Sequence, residues 1–320
     1  MLIGAPTPTG SPPFAQQSKE PAVEAAVTTC YRHPKYETYV SCTRCERFIC
    51  PDCMREAAVG HQCPECVKEG HKSVRRARTV FGGSVAGTAA PVVTYTLIAL
   101  NVLAYLGELA RPDLVDRFGM LGWGLLGPEG GVYPHPTLVG VAEDEWYRLL
   151  TGAFLHLPVT GGSFGIMHII MNMFCLWNVG RTVEDQLGRA RYAGLYLLSA
   201  LGGSVLVYLL TPHTVVVGAS GAIFGISASY YVICRRLGRD MQAVNRFLAG
   251  LMIWMVLSAL FTSWQAHLGG LLTGGLVSLA LAYAPPKHRT VVQVAAGAGV
   301  LVLLIALVLM KTSALTSFAG

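Results

Sequence analysis

The sequence predicts an all-α polytopic membrane protein preceded by a small zinc-stabilised domain. Three observations carry that prediction. Apolar residues make up 52% of the 320-residue chain and charged residues 13%, with a mean hydropathy of +0.48; a water-soluble domain carries about 25% charged residues. Apolar stretches of bilayer-crossing length recur from residue 91 onward. Seven of the nine cysteines fall between Cys30 and Cys66. The formal net charge of +6 does not call for nucleic acid as a partner, because Lys and Arg sit in short runs between apolar segments, as they do in loops that mark a cytoplasmic side.

In chain order, residues 1–27 are rich in Pro, Gly, Ser and Gln and are expected to be a disordered tail. The start has no basic n-region and no long apolar core, so no secretory signal is expected. Residues 28–70 form the Cys/His-rich module. Its potential ligands come as four pairs with two residues between partners: Cys30 and His33, Cys42 and Cys45, Cys50 and Cys53, Cys63 and Cys66. Eight ligands fill two closed tetrahedral Zn²⁺ sites, structural and without an open position for catalysis. His61 is a spare candidate ligand. The module has few apolar residues, so metal is expected to supply its folding energy. The pattern resembles B-box and related zinc domains. That resemblance implies that pairs one and three share one ion (Cys30, His33, Cys50, Cys53) and pairs two and four the other (Cys42, Cys45, Cys63, Cys66). Cys175 and Cys234 lie alone in apolar stretches and read as buried small hydrophobes.

A polar linker, 71–90, leads to seven expected spans near 91–109, 165–181, 190–210, 219–236, 244–262, 265–283 and 291–310. The second and fourth are the weakest by hydropathy, because they contain His168, Asn172 and Ser220; polar residues inside spans are costly and usually functional. Basic groups at Arg75, Arg76 and Arg78, at Arg181, Arg189 and Arg191, at Arg235, Arg236 and Arg239, and at Lys287 and Arg289 fall on one side if the spans alternate. This places the N-terminus in the cytoplasm and the C-terminus outside.

With that topology, the fourth and sixth spans both start on the outer side. Ser220 and His267 then lie at similar depth, and the second span brings His168 and Asn172, one helical turn apart, to the same layer. Gly221 and Gly225, and Gly270 and Gly274, are four-residue pairs that allow close helix approach in lipid. A serine beside an imidazole is a nucleophile with its base. Gly218 and Gly221 leave room for a substrate carbonyl near the Ser220 N–H, and His168 and Asn172 can donate to an oxyanion. No span holds a His-Glu-x-x-His motif or a pair of aspartates, which excludes the zinc and aspartyl chemistries of intramembrane proteolysis.

Gly218-Ala219-Ser220-Gly221-Ala222, Ala266-His267-Leu268-Gly269-Gly270 and His168-Ile169-Ile170-Met171-Asn172 resemble the three signature elements of rhomboid proteases. The likeness covers about residues 91–283, a six-helix catalytic core; residues 284–320 then add a seventh transmembrane helix and a short tail. It implies Ser220 as nucleophile and His267 as base, with His168, Asn172 and Ser220 at the oxyanion. Gly218 and Phe224 shape the site, Phe224 as a ring packed on the histidine. Glu145-Trp146-Tyr147-Arg148 resembles the Trp-Arg element of the first outer loop, and Glu184 and Gly188 the turn after the second helix. Tyr147 between Trp146 and Arg148, and a long segment between His156 and His168, depart from the pattern. The expected function is cleavage of transmembrane protein substrates in a bacterial plasma membrane, in contact with membrane lipid, with a cytoplasmic protein partner for the zinc domain as a further expectation. The alternative is an inactive rhomboid-like factor that binds membrane proteins.

Overall fold

A computed structural model describes residues 28–73, 78–83, 90–124, 138–157, 163–257, 259 and 262–317. The expected disordered tail at 1–27, Arg75 and Arg76, and residues 158–162 of the long segment before His168 lie outside the described residues. The chain divides into two compact units, residues 1–75 and 76–320.

In the first unit a two-stranded antiparallel hairpin, β1 (Arg55–Glu56) and β2 (His61–Gln62), is followed by helix α1 (Pro64–Ser73). Gly60 turns the hairpin at φ +65°, a left-handed conformation that glycine takes at no steric cost. Pro64 opens α1, where a missing N–H loses nothing. The buried apolar cluster consists of six cysteines and Ile49. That is too little carbon to hold a fold by itself.

The second unit is helical: α2 (Val92–Ala110), α3 (Asp113–Phe118), α4 (Arg148–Thr151), α5 (Ser163–Cys175), α6 (Arg181–Leu187), α7 (Arg189–Leu210), α8 (Ser220–Arg236), α9 (Met241–Leu257), α10 (Trp264–Tyr283) and α11 (Arg289–Ser317). Each expected span finds a helix. Among the described residues α2, α7, α10 and α11 are long and apolar enough to cross a membrane, and α9 is a shorter apolar helix. The second span differs from expectation. Its helix does not stop near Arg181 but passes through a π-turn, Leu176–Gly180, into α6 and ends at Leu187. The Arg181 guanidinium lies 4.6 Å over the Trp177 ring and so stays on the helix surface without terminating it.

Helix α10 is the centre of the packing, with α7 and α8 against it and α11 against α7. Glycine makes this possible. A Cβ at Gly270 would overlap the Gly221 carbonyl, and one at Gly274 would overlap the Gly225 backbone. Helices that approach this closely gain dispersion contacts that lipid tails cannot replace. Glu184 ties α6 to the start of α2, accepting from Val93 N–H (3.0 Å), Thr94 N–H (2.8 Å) and Thr94 Oγ1 (2.8 Å). In the long loop, Arg148 is 1% exposed. It donates to Glu145 Oε2 (2.6 Å) and to the carbonyls of Asp116 (2.7 Å) and Gly119 (2.9 Å), which locks α3 and α4 together.

Candidate active site and metal centres

Ser220 is the first residue of α8, where backbone N–H groups have no partner inside the helix. The strand-like segment leading into it is held by the loop. Met120 and Val216 exchange hydrogen bonds of 2.9 and 2.8 Å, and Gly218 N–H donates to Gly152 O at 2.9 Å. Gly218 sits at φ +132°, which suits glycine alone. A Cβ there would lie 2.9 Å from His168 Cε1, 3.1 Å from His168 Nε2 and 3.6 Å from Ser220 Oγ. A side chain at this position would press on the His168 imidazole, so glycine lets the chain pass close beside it.

His267 lies in the first turns of α10 and is 2% exposed. Its Nε2 is 2.9 Å from Ser220 Oγ. Phe224, one turn past Ser220, stacks on the imidazole at 4.5 Å between centroids and 13° between planes. Among the described residues Nδ1 of His267 meets no hydrogen-bond partner, so a carboxylate does not orient the ring; stacking and packing do. Asn172, buried on α5, donates one amide hydrogen to the His168 carbonyl at 3.0 Å and keeps a second for another acceptor. The structure thus brings Ser220, His267, His168, Asn172, Gly218 and Phe224 together.

Two cavities meet at Ser220. One, of ≈ 340 Å³, is lined by His168, Val217, Thr262, Ser263 and Gln265 among others. The other, of ≈ 420 Å³, opens between α5 and α9 and is lined by Met167, Met171, Asn172, Phe224, Trp254 and His267. One pair near the site went unnoticed in the sequence. Glu108, buried near the end of α2, accepts the His156 N–H with both carboxylate oxygens (3.1 and 3.2 Å), and the fully buried His156 ring lies 5.3 Å from that of His168. The available signal was an acid inside a span.

In the zinc-type unit the side chains gather as Cys30, His33, Cys50 and Cys53, and as Cys42, Cys45, Cys63 and Cys66, with the ligand atoms of each group within 4.8 Å of one another. A tetrahedron with metal–sulfur bonds of about 2.3 Å has sulfur–sulfur edges of about 3.8 Å. Cys45 and Cys63 sulfurs lie 3.7 Å apart, and His33 Nδ1 lies 3.2 Å from Cys50 Sγ and 3.4 Å from Cys53 Sγ. The donor sets therefore fit tetrahedral metal. His61 belongs to neither group. Burial raises the Cys30 thiol, but N–H groups of Cys50, Arg32 and His33 offset it and leave it at about 6. Burial and neighbouring thiols push Cys66 up to about 12. Arg47 donates to Cys45 Sγ (3.3 Å) and Cys63 Sγ (3.6 Å), which offsets part of the negative charge of the four-cysteine group.

A rhomboid-domain family profile matches residues 143–284. Rhomboid protease GluP of Bacillus subtilis (strain 168) is 31% identical over 207 residues, covering 60% of this chain and 35% of the relative. RHOMBOID-like protein 6, mitochondrial, of Arabidopsis thaliana is 32% identical over 153 residues, or 45% of this chain and 47% of the relative. Putative rhomboid protease YdcA of B. subtilis (strain 168) is 33% identical over 194 residues, covering 59% of this chain and 87% of the relative. The chain belongs to the rhomboid family. It spans about a third of the length of GluP and about half of the Arabidopsis relative. The rhomboid match runs from the 3₁₀ turn before α4 to the end of α10, and so contains Ser220, His267, His168 and Asn172. The zinc-type unit, α2 and α11 lie outside it. A rhomboid with this set of apolar helices is a multi-pass membrane protein.

Proposed function

We propose that this rhomboid is an intramembrane serine endopeptidase that cleaves transmembrane segments of membrane-protein substrates. The 2.9 Å contact between His267 Nε2 and Ser220 Oγ, across two helices and beside two cavities, carries the reading. Nε2 accepts the Oγ proton as oxygen attacks the scissile carbonyl, and returns it to the leaving amine. The carbonyl oxygen, now negative, is stabilised beside Gly218 by His168 Nε2, the second Asn172 amide hydrogen and the Ser220 N–H. Water then hydrolyses the acyl-serine, with His267 again the base. A substrate helix approaches from the apolar cavity between α5 and α9, and water from the cavity lined by Ser263 and Gln265.

Residues 91–283 form the catalytic core of this scheme and 284–320 an added helix, while 28–70 hold two structural Zn²⁺ ions with no catalytic part. The basic groups flanking the spans support a cytoplasmic N-terminus and an outer C-terminus in a bacterial plasma membrane, with the zinc domain available to a cytoplasmic protein. The deciding experiment is labelling of detergent-solubilised protein with a fluorophosphonate probe. Ser220 is expected to carry the label, and Ser220→Ala to abolish it. Labelling that persists in Ser220→Ala would exclude the assignment.

A further inference from the structure

Where α7 and α11 begin, Arg191 and Arg289 flank one glycine, and Arg78 lies near enough to act on Arg191 electrostatically. Arg191, in the first turn of α7, donates from Nε to Gln293 Oε1 (2.7 Å) and from Nη1 to the Gly82 carbonyl (3.1 Å), which leaves Nη2 unused. Gln293 is 6% exposed and is itself fixed, donating to the carbonyls of Phe81 (3.2 Å) and Leu281 (2.9 Å). Arg289 opens α11. Its Nη1 and the Nη2 of Arg191 lie 3.3 and 3.2 Å from where a Cβ on Gly82 would sit, so the two guanidiniums flank the same glycine. Arg78 adds a third like charge acting on Arg191. Among the described residues, none of the three has a carboxylate within ion-pair distance.

Held this way, the cluster is electrostatically unfavourable unless something negative joins it. Like charges repel more strongly in a half-buried setting than in water. The positive ends of two helix dipoles add to the field, and neither α7 nor α11 has an acidic residue in its first turn. Arg191 is also pre-organised: a buried glutamine and a carbonyl hold it with one edge free, which is how a fork binds an oxyanion. Exposed Arg189 and Lys287 lie nearby in sequence. The site lies at the N-terminal ends of α7 and α11, two helices long and apolar enough to cross a membrane.

We infer that Arg78, Arg191 and Arg289 form a binding site for a phosphate group, supplied by the headgroup of an anionic phospholipid wedged between α7 and α11. The test measures binding of phosphatidylglycerol, phosphatidylcholine and inorganic phosphate to the purified full-length protein in neutral detergent, by native mass spectrometry and thermal shift. Phosphatidylglycerol is expected to be retained in preference to phosphatidylcholine. Arg289→Gln and Arg78→Gln each remove one guanidinium that makes no ion pair among the described residues, and size-exclusion profiles should show both variants folded. Each is expected to weaken phosphatidylglycerol about fivefold, the effect of about one surface charge, and to leave phosphatidylcholine unchanged. Protection by inorganic phosphate that equals that of phosphatidylglycerol and is lost in Arg289→Gln would assign the site to a free anion. Equal retention of the two lipids by the wild type, or unchanged phosphatidylglycerol binding in both variants, would overturn the proposal.

Discussion

Ser220 and His267 stand 47 residues apart in sequence and 2.9 Å apart in space, and among the described residues His267 Nδ1 has no hydrogen-bond partner. Orientation of the imidazole therefore falls to the Phe224 ring stacked on it. His267→Ala is expected to abolish turnover of a single-span substrate while the protein elutes as wild type on size exclusion. Phe224→Leu, which keeps bulk but loses the flat contact, should lower kcat more than it raises KM. The oxyanion donors make a separate prediction. His168→Ala or Asn172→Ala should each reduce kcat by about 10²–10³, the cost of one such donor in a soluble protease. Equal kcat in both variants and in the double variant would reduce these residues to packing. Gly218 is legible as a site residue from its place before the serine. Its particular job, letting the chain pass close against the His168 imidazole, depends on a φ of +132° that no neighbour in sequence announces.

At the scale of helices, a bond of no side-chain complexity holds the site together. Gly270 meets the Gly221 carbonyl and Gly274 the Gly225 backbone, so α10 and α8 touch main chain to main chain. Gly270→Ala forces the helices apart and is expected to cost about 1–3 kcal/mol, as overpacking does. Because Ser220 and His267 ride on those two helices, it should also weaken fluorophosphonate labelling. Thermal unfolding in detergent and labelling rate read the two effects separately. Glu184→Gln tests a different joint. The carboxylate receives three hydrogen bonds from the start of α2, and bonds to a charged group contribute about 1.5–3 kcal/mol. A lower melting temperature is expected. The helices were readable because apolar runs and basic flanks are one-dimensional signals. The run of α5 through a π-turn into α6 was not, since a charged Arg181 reads as an end unless the Trp177 ring beneath it is seen. Glu108 went unread for a related reason: its partner is a backbone N–H 48 residues away, which has no residue-type signature.

For the whole molecule, the two units are held by different physics. One has a buried cluster of cysteines and a single isoleucine; the other has an extensive apolar core from Phe81 to Ala282. Metal analysis is expected to return two zinc ions per chain, and a strong chelator should unfold the first unit, seen as exposure of seven titratable thiols between Cys30 and Cys66. The same treatment is expected to leave Ser220 labelling unchanged, because none of the ligands belongs to the second unit. Loss of labelling on chelation would contradict that separation. The ligand pairs were fully visible in the sequence, since two-residue spacing is local; which pairs share a metal is a matter of chain crossing.

The two cavities that meet at Ser220 also define two addresses for one reactive oxygen. A reagent aimed at that serine can carry a polar arm toward Ser263 and Gln265, or a greasy one toward Met171 and Trp254. Joining both arms to a single warhead makes the second contact intramolecular, and suitable tethers raise avidity by about 10²–10⁴ without any new interaction. Such a molecule would have to bend at the serine, because the two compartments meet along Ser220, His168 and Thr262.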